Sequence, residues 1–270
     1  MRELGKVVKA GVKFRTRAAL TRLGLWGPLE RWRTSYRFWR GRPHEPEFAF
    51  FRRFDGDRRL FVDVGANAGQ SALSFRLFNR TCPILSFEPN PDLQPALEHV
   101  RRLLGDSFAY RMCGLGAEER ELSFFVPVIR GVALTQEATL FGERLRSPSI
   151  RRHLRAVTQC GDLHVEERRL RVIRFDDLNL QPGFVKIDVQ GAELEALRGM
   201  EQTLDACRPL LLTEGYGHVR DFLAARAYRP FVYDAVADEL QPLRLPPPTY
   251  NFFFVPAELV APLTGGRRAV

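Results

Sequence analysis

Five charged side chains stand at the ends of apolar runs, where a sheet of parallel strands would present them together. Asp63 lies in "LFVDVG", Glu88 in "PILSFEP", Lys186 and Asp188 in "FVKIDV", and Glu214 closes "LLLTE". Carboxylates so placed suit a cationic ligand or proton transfer and are unsuited to phosphate, whose charge they repel. Lys186 is two residues before Asp188 and shares its side of the strand. Paired with Asp188 or Glu214, it lowers their pKa, making them weaker bases but better anchors. Asp188 is the first candidate for a general base, and Lys186 and Glu214 complete the candidate catalytic set. Plainer readings stand beside these: Asp188 as a helix cap, and Glu193 as an acid favoured by a helix N-terminus. His218 reads either as an alternative base of suitable intrinsic pKa or as a surface histidine.

The elements that must position these groups begin with "FVDVGANAGQ", residues 61–70, a strand running into a glycine-bearing turn and then a helix. No glycine–lysine pair is present, so the turn is not a phosphate-cradling P-loop. A dinucleotide fingerprint aligned on Gly65 would need glycines where Asn67 and Gln70 stand, which argues against NAD or FAD. What remains is D-x-G-x-x-x-G, formed by Asp63, Gly65 and Gly69. This turn suits an adenosyl group without a pyrophosphate, and its carboxylate suits a cation. S-adenosylmethionine has an ammonium, a sulfonium and no phosphate. Glu88 follows Gly65 by 23 positions, near the ~20-residue offset at which an acid meets ribose hydroxyls in doubly wound folds. Taken alone, Asp63 also reads as a helix N-terminal acid and Glu88 as a cap; together they favour a nucleoside pocket.

Beyond the turn the chain alternates. Helical "NAGQSALSFRLFNR" is followed by the strand "PILSFEP" and by "PDLQPALEHVRRLLG", a helix capped by Asn90 with Pro91 at its first position. Strands are expected at "FAYRMCGL" and "ELSFFVPV", and order returns at "RLRVIRFDDL". "GAELEALRGMEQTLDA" and "HVRDFLAARA" read as helices, "PLLLTEG" as a strand. "RPFVYDA" and "YNFFFVP" read as a closing antiparallel edge hairpin around Pro246, Pro247 and Pro248. Alternation of this kind predicts an α/β fold, a mostly parallel sheet with helices on both faces.

"FVDVGANAGQSALSF", "LSFEPNP", "VKIDVQGAELEALRGM", "PLLLTEG" and "NFFFVP" resemble the FkbM family of S-adenosylmethionine-dependent methyltransferases, over roughly residues 57–255. The block "KIDVQGAELEALRGM" is the most specific part. The resemblance implies a Rossmann-like seven-stranded sheet with an antiparallel edge hairpin. It also implies methyl transfer to a hydroxyl of a sugar, glycan (lipid-linked ones included) or small metabolite. It places Asp63, Gly65, Ala66, Asn67 and Gly69 around the methionine side of the cofactor and Glu88 at its ribose, with Ser71 and Pro89 beside them. Gln190 stands where the family often has Glu, which argues against a base at that position. A non-catalytic cofactor-binding or scaffold protein of the same fold is the alternative from another class; an intact turn counts against it. An NAD-dependent oxidoreductase is disfavoured by Asn67 and Gln70.

The chain of 270 residues is long enough for one large domain without disulfides or metal. Cys82, Cys113, Cys160 and Cys207 are too widely spaced for a C-x-x-C pair and read as reduced thiols, and no histidine spacing suggests a metal site. Charge is uneven. Residues 1–42 hold twelve Lys and Arg against two Glu, a net of +10; the whole chain is +9, leaving −1 for residues 43–270. The organisation expected is a basic, Trp-rich helical arm over 1–42 and a methyltransferase domain over 43–270. Residues 130–164 form an insert whose Arg144, Arg146, Arg151, Arg152 and Arg155 either cover a substrate or solvate a helix. In the arm Arg2, Lys6, Lys9, Lys13 and Arg17 share one helical face, and Trp26, Trp32 and Trp39 follow among arginines. The arm either packs on its own domain or lies on a membrane surface through residues 1–40, with nucleic acid the least favoured partner. Without an apolar run of spanning length or a signal peptide, the expected location is cytoplasmic, with any membrane contact peripheral at the inner face. Oligomeric state is not legible.

Overall fold

In the computed structural model, Phe14, residues 16–133, Ser147, Pro148, Arg152, Thr158, and residues 163–243 and 249–265 are described. The expectations for Arg2, Lys6, Lys9, Lys13, Arg144, Arg146, Arg151, Arg155, Cys160 and Pro246–Pro248 lie outside the described residues. Helix α1 (Trp26–Trp39) leads, by way of a 3-10 segment at Pro46–Phe54, to β1 (Leu60–Val64), α2 (Gln70–Phe78), β2 (Ile84–Phe87), α3 (Gln94–Leu104) and β3 (Phe108–Arg111). Next come β4 (Gly114–Leu115), β5 (Arg120–Ile129), β6 (Val132–Ala133) and β7 (Leu163–Ile173). The chain then runs through β8 (Pro182–Ile187), α4 (Glu193–Arg198), α5 (Glu201–Cys207), β9 (Leu210–Glu214) and α6 (Arg220–Ala224). It closes with β10 (Tyr228–Asp234), β11 (Glu239–Pro242), β12 (Asn251–Pro256) and α7 (Ala257–Thr264).

Two compact units share the chain: residues 1–34 with 121–170, and residues 35–120 with 171–270. In the first, Phe14 and Ala18 are buried, and the Arg17 guanidinium lies over Trp26 at 5.3 Å and donates to the Ala133 carbonyl at 3.0 Å. The end of β5 pairs antiparallel with β6.

The second unit carries the main sheet. Among the described residues it has eight strands in the order β11-β10-β12-β9-β8-β1-β2-β3. Strands β3, β2, β1, β8 and β9 run parallel, β12 is antiparallel to both β9 and β10, and β11 is antiparallel to β10. The seven strands implied by the resemblance are present and β11 is an eighth. "RPFVYDA" and "YNFFFVP" do pair, but β12 sits inside the sheet and the edge hairpin is β10–β11. Burial explains this placement. Phe252, Phe253, Phe254 and Val255 are all buried, as a strand covered on both faces requires, while "ELQP" of β11 suits an edge.

Both faces are covered. Val62, Val64, Val185, Ile187 and Leu211 point to one core, joined by Leu197 and Leu204 of α4 and α5. Phe61, Phe184, Leu210, Leu212 and Phe253 point to the other, with Phe75 of α2 and Leu97 of α3. Phe48, Phe50 and Phe51 of the 3-10 segment are fully buried there, so a stretch that reads as a mere approach supplies core. Phe61 and Phe75 stack at 3.9 Å, and Phe51 meets both edge-on. Each such burial contributes roughly 1.5–3 kcal/mol.

Two sequence segments break where distant residues intervene. "FAYRMCGL" divides into β3, in the main sheet, and β4, which pairs with the end of β7. "GAELEALRGMEQTLDA" divides at Gly199–Met200. The Gly199 carbonyl accepts the Asp176 N–H, and the Asp176 carboxylate accepts the N–H groups of Gln202 and Thr203 and the Thr203 hydroxyl. Asp176 thus caps the start of α5 from across the fold.

Candidate active site

Strand order reverses at β1: the chain proceeds from β1 to β2 and β3 on one side, then returns to β8 on the other. In open α/β sheets ligands bind outside the C-terminal strand ends at such a point, and the charged residues of the sequence converge there. Asp63 and Lys186 are paired across β1 and β8 in register. The turn after β1 holds three left-handed residues, Gly65 (φ 80°), Asn67 (φ 50°) and Gly69 (φ 83°). Gly65 and Ala66 donate their N–H groups to the Phe87 carbonyl, hanging the turn on the end of β2. A Cβ on Gly65 would stand 1.9 Å from the Asp188 carbonyl oxygen. The glycine is therefore required twice, by its φ and by the approach of the β8 loop. Gly69 leads into α2, whose first turn buries Ser71.

Lys186 is the hub. Its Nζ lies 3.6 Å from Asp63 Oδ1 and donates to Asp188 Oδ2 and to the Gly65 carbonyl, each at 3.3 Å. Burial pushes the ammonium down, but Asp63, Asp188 and Glu45 together outweigh it and the net shift is upward. Asp63 is wholly buried. Its Oδ2 accepts the Ser86 hydroxyl at 3.0 Å, while Oδ1 has no hydrogen-bond donor, and burial raises its pKa against the pull of Lys186.

Asp188 and Glu214 form a pair. The Gln190 side-chain N–H2 donates to Asp188 Oδ1 at 3.2 Å and to Glu214 Oε2 at 2.9 Å. Burial raises Asp188, but Lys186 and hydrogen bonds from Glu214, Lys186 and Gln190 prevail and hold it below the usual range. Glu214 moves the other way, up to about 8, through its hydrogen bond to Asp188, then burial and the Asp188 charge. The two carboxyls are thus pushed apart, Asp188 towards its ionised form and Glu214 towards its protonated one. Gln190 itself is left-handed, at φ 54°.

Glu88 is buried and separate from this hub. Its oxygens accept the Asn67 N–H at 2.8 Å and the Asn90 N–H at 2.9 Å, and its pKa is raised chiefly by burial. A carboxylate offers about four acceptor sites, so capacity for a ligand remains. Asn90 in turn accepts the Asp92 N–H, opening the 3-10 turn that precedes α3. The Glu88 N–H donates to the Arg111 carbonyl, and next to it a cavity of 340 Å³ is lined by Arg111, Met112, Cys113, Arg171, Arg174 and Asp177, among others. Pro89 is half-buried and faces Gly114.

Three residues at the hub escaped the sequence reading. His44 and Glu45 precede the 3-10 segment, and the His44 N–H donates to the Ser74 hydroxyl of α2 at 2.7 Å. Burial, then Arg37 and Lys186, lowers the His44 pKa; burial raises that of Glu45, which bonds Asn251. Asn251 is the register partner of Glu214. Glu193 accepts the Gly191 N–H at 2.9 Å, a local turn contact, and His218 is exposed.

A family model described as the methyltransferase FkbM domain matches residues 63–230. A curated relative, "Methyltransferase 1" of Beauveria bassiana (strain ARSEF 2860), is 28% identical over 153 residues, 54% of this chain and 59% of the relative. The match thus spans about three fifths of that relative's length. Among solved structures, a methyltransferase FkbM from Methylobacillus flagellatus KT has 16% identity and a TM-score of 0.46, covering 73% of this chain and 44% of that one. A precorrin-6y C5,15-methyltransferase from Geobacter metallireducens GS-15 has 11% identity and a TM-score of 0.40, covering 77% and 84%.

Proposed function

The chain belongs to the FkbM methyltransferase family, and we propose that it is an S-adenosylmethionine-dependent O-methyltransferase acting on a hydroxyl of a sugar, a glycan or a small metabolite. The observation that carries this reading is the pair of carboxyls, Asp188 and Glu214, bridged by Gln190 beside the Gly65 turn. A hydroxyl is a poor nucleophile, and a carboxylate placed to take its proton assists attack.

The residues fit the cofactor in two respects. The turn at Gly65 has no room for a side chain, and Glu88 keeps acceptor sites for a diol. Asp63, Gly65, Ala66, Asn67, Gly69, Ser71, Glu88 and Pro89 are the residues proposed to hold it. Bound S-adenosylmethionine supplies a methyl carbon already activated by its sulfonium. The chain's own task is then placement, water exclusion and proton handling. Lys186 keeps Asp188 ionised and fixes its orientation, and Gln190 holds the two carboxyls together. The Asp188–Glu214 pair would take up the proton that the acceptor hydroxyl gives up on methylation.

Calorimetric titration with S-adenosylhomocysteine tests the cofactor assignment, and a folded protein that does not bind it would sink the proposal. Glu88→Ala weakens that binding by ~1–3 kcal/mol if the carboxylate meets the ribose hydroxyls. Unchanged affinity would remove Glu88 from the site.

A further inference from the structure

Helix α1 is held by one side and leaves an aliphatic and aromatic stripe in solvent. Its Ser35 is buried and shares a hydrogen bond of 2.7 Å with His99 Nε2, and Phe38 packs against the core beneath. Leu25, Leu29, Trp32, Tyr36 and Trp39 follow at spacings of four, three, four and three. At 100° per residue they fall within a band of about 80°. All five are exposed, Trp32 at 56% and Trp39 at 68%. A continuous stripe of this kind is not the scatter of single apolar residues that a soluble surface tolerates.

Charge identifies what covers it. Residues 22–42 hold six arginines and one acid, Glu30. Arg33, Arg37 and Arg40 are exposed and flank one side of the stripe. A second copy of this helix would bring those arginines against their own kind. Among the described residues no helix is long and apolar enough to cross a membrane. Aromatic and aliphatic side chains bordered by arginine match the headgroup boundary of an anionic bilayer, where apolar groups enter and guanidinium groups meet lipid phosphate.

We propose that α1 lies in the plane of an anionic membrane surface, with Leu29, Trp32, Tyr36 and Trp39 inserted at the headgroup level and Arg33, Arg37 and Arg40 on lipid phosphates. The chain's three tryptophans are Trp26, Trp32 and Trp39, all in this helix, so intrinsic fluorescence reports on it alone. The proposal is read out apart from the catalytic reading, by partition and fluorescence, although Arg37 also donates to the Pro43 carbonyl beside His44.

The test uses the full chain with vesicles of phosphatidylcholine, with and without phosphatidylglycerol. Brominated acyl chains should quench the tryptophan emission on the anionic vesicles, and the protein should sediment with them. Arg33→Gln/Arg37→Gln/Arg40→Gln, all at exposed positions, should lower partition about 100-fold, at ~1 kcal/mol per arginine. Trp32→Ser/Trp39→Ser should lower it at least tenfold on the same vesicles. Raising salt to 1 M, where the Debye length falls to ~3 Å, should release the wild type. Absence of quenching and sedimentation with anionic vesicles overturns the proposal, as does equal partition of the arginine variant. A wild-type dimer that the tryptophan variant converts to monomer assigns the stripe to a second copy and equally overturns it.

Discussion

Lys186→Met keeps the stem of the side chain and removes its charge, so what is lost is electrostatic. The ammonium stands 3.6 Å from Asp63 and 3.3 Å from Asp188. At an effective dielectric near 20, attraction across 3.6 Å is about 4.6 kcal/mol, within the ~3–5 kcal/mol lost when one partner of a buried pair is removed. Asp63 stays behind, wholly buried, with a donor on one oxygen and none on the other. It limits the cost by taking up a proton, and this makes the loss depend on pH. Burial already raises Asp63 in the folded state; without the ammonium it rises further. A carboxyl raised by folding contributes stability that is complete below its unfolded pKa, ~3.9, and lost as pH rises through the folded value. The gap between wild type and variant therefore widens as pH rises, by up to ~1.4 kcal/mol per pH unit, towards ~3–5 kcal/mol. Asp188, held low, contributes stability that is lost as pH falls through its depressed value, the opposite direction. Urea unfolding at pH 5, 6, 7 and 8 measures the gap. An equal loss at all four values would refute the ion-pair reading and leave Lys186 a packing role. Adding Asp63→Asn removes the stranded charge and should recover most of the loss at pH 8; a double variant no better than the single one would refute it too.

Gly65→Ala should cost about 2–5 kcal/mol in urea unfolding, from a left-handed φ at ~1–2 kcal/mol and overpacking against the Asp188 carbonyl at ~1–3 kcal/mol. A loss under ~1 kcal/mol would mean that the two loops part freely. Glu214, with its pKa raised to about 8, contributes stability that is complete below its unfolded value and declines as pH rises through 8. Glu214→Gln should flatten the decline in urea midpoint between pH 5 and 8, and parallel wild-type and variant curves would rule out the raised Glu214 pKa. The same variant should lose the rise of methyl transfer with pH across the region near 8, read in a rate–pH profile; an unchanged profile would take Glu214 out of the proton path.

The site's acidic framework was legible because each group sits at the end of an apolar run. Asp63, Lys186, Asp188 and Glu214 announce themselves locally, and the strand–turn–helix at Gly65 carries its own punctuation. What was not legible depends on partners far away in sequence. His44 and Glu45 lie between Pro43 and Pro46 in a stretch that looks like a linker, and nothing local brings them to Lys186. Buried Phe48, Phe50 and Phe51 in the same region were a signal that could have marked it as core. The break between α4 and α5 follows from Asp176, twenty-three residues before Gly199, whose carboxylate competes for the amides of α5. The place of β12 inside the sheet follows from burial on both faces, which its run of three phenylalanines suggests, although the run does not name the neighbours.

Gly114 and Leu115 lie beside Val172 and Ile173, so the chain that departs after β4 is brought back by pairing within the same unit. Whatever lies between is spliced in at two fixed points. Closure entropy grows only with the logarithm of loop length, each doubling adding about 0.6 kcal/mol. The excursion is thus closed at its base by β4 and β7, and residues added between those two junctions would cost little in closure entropy.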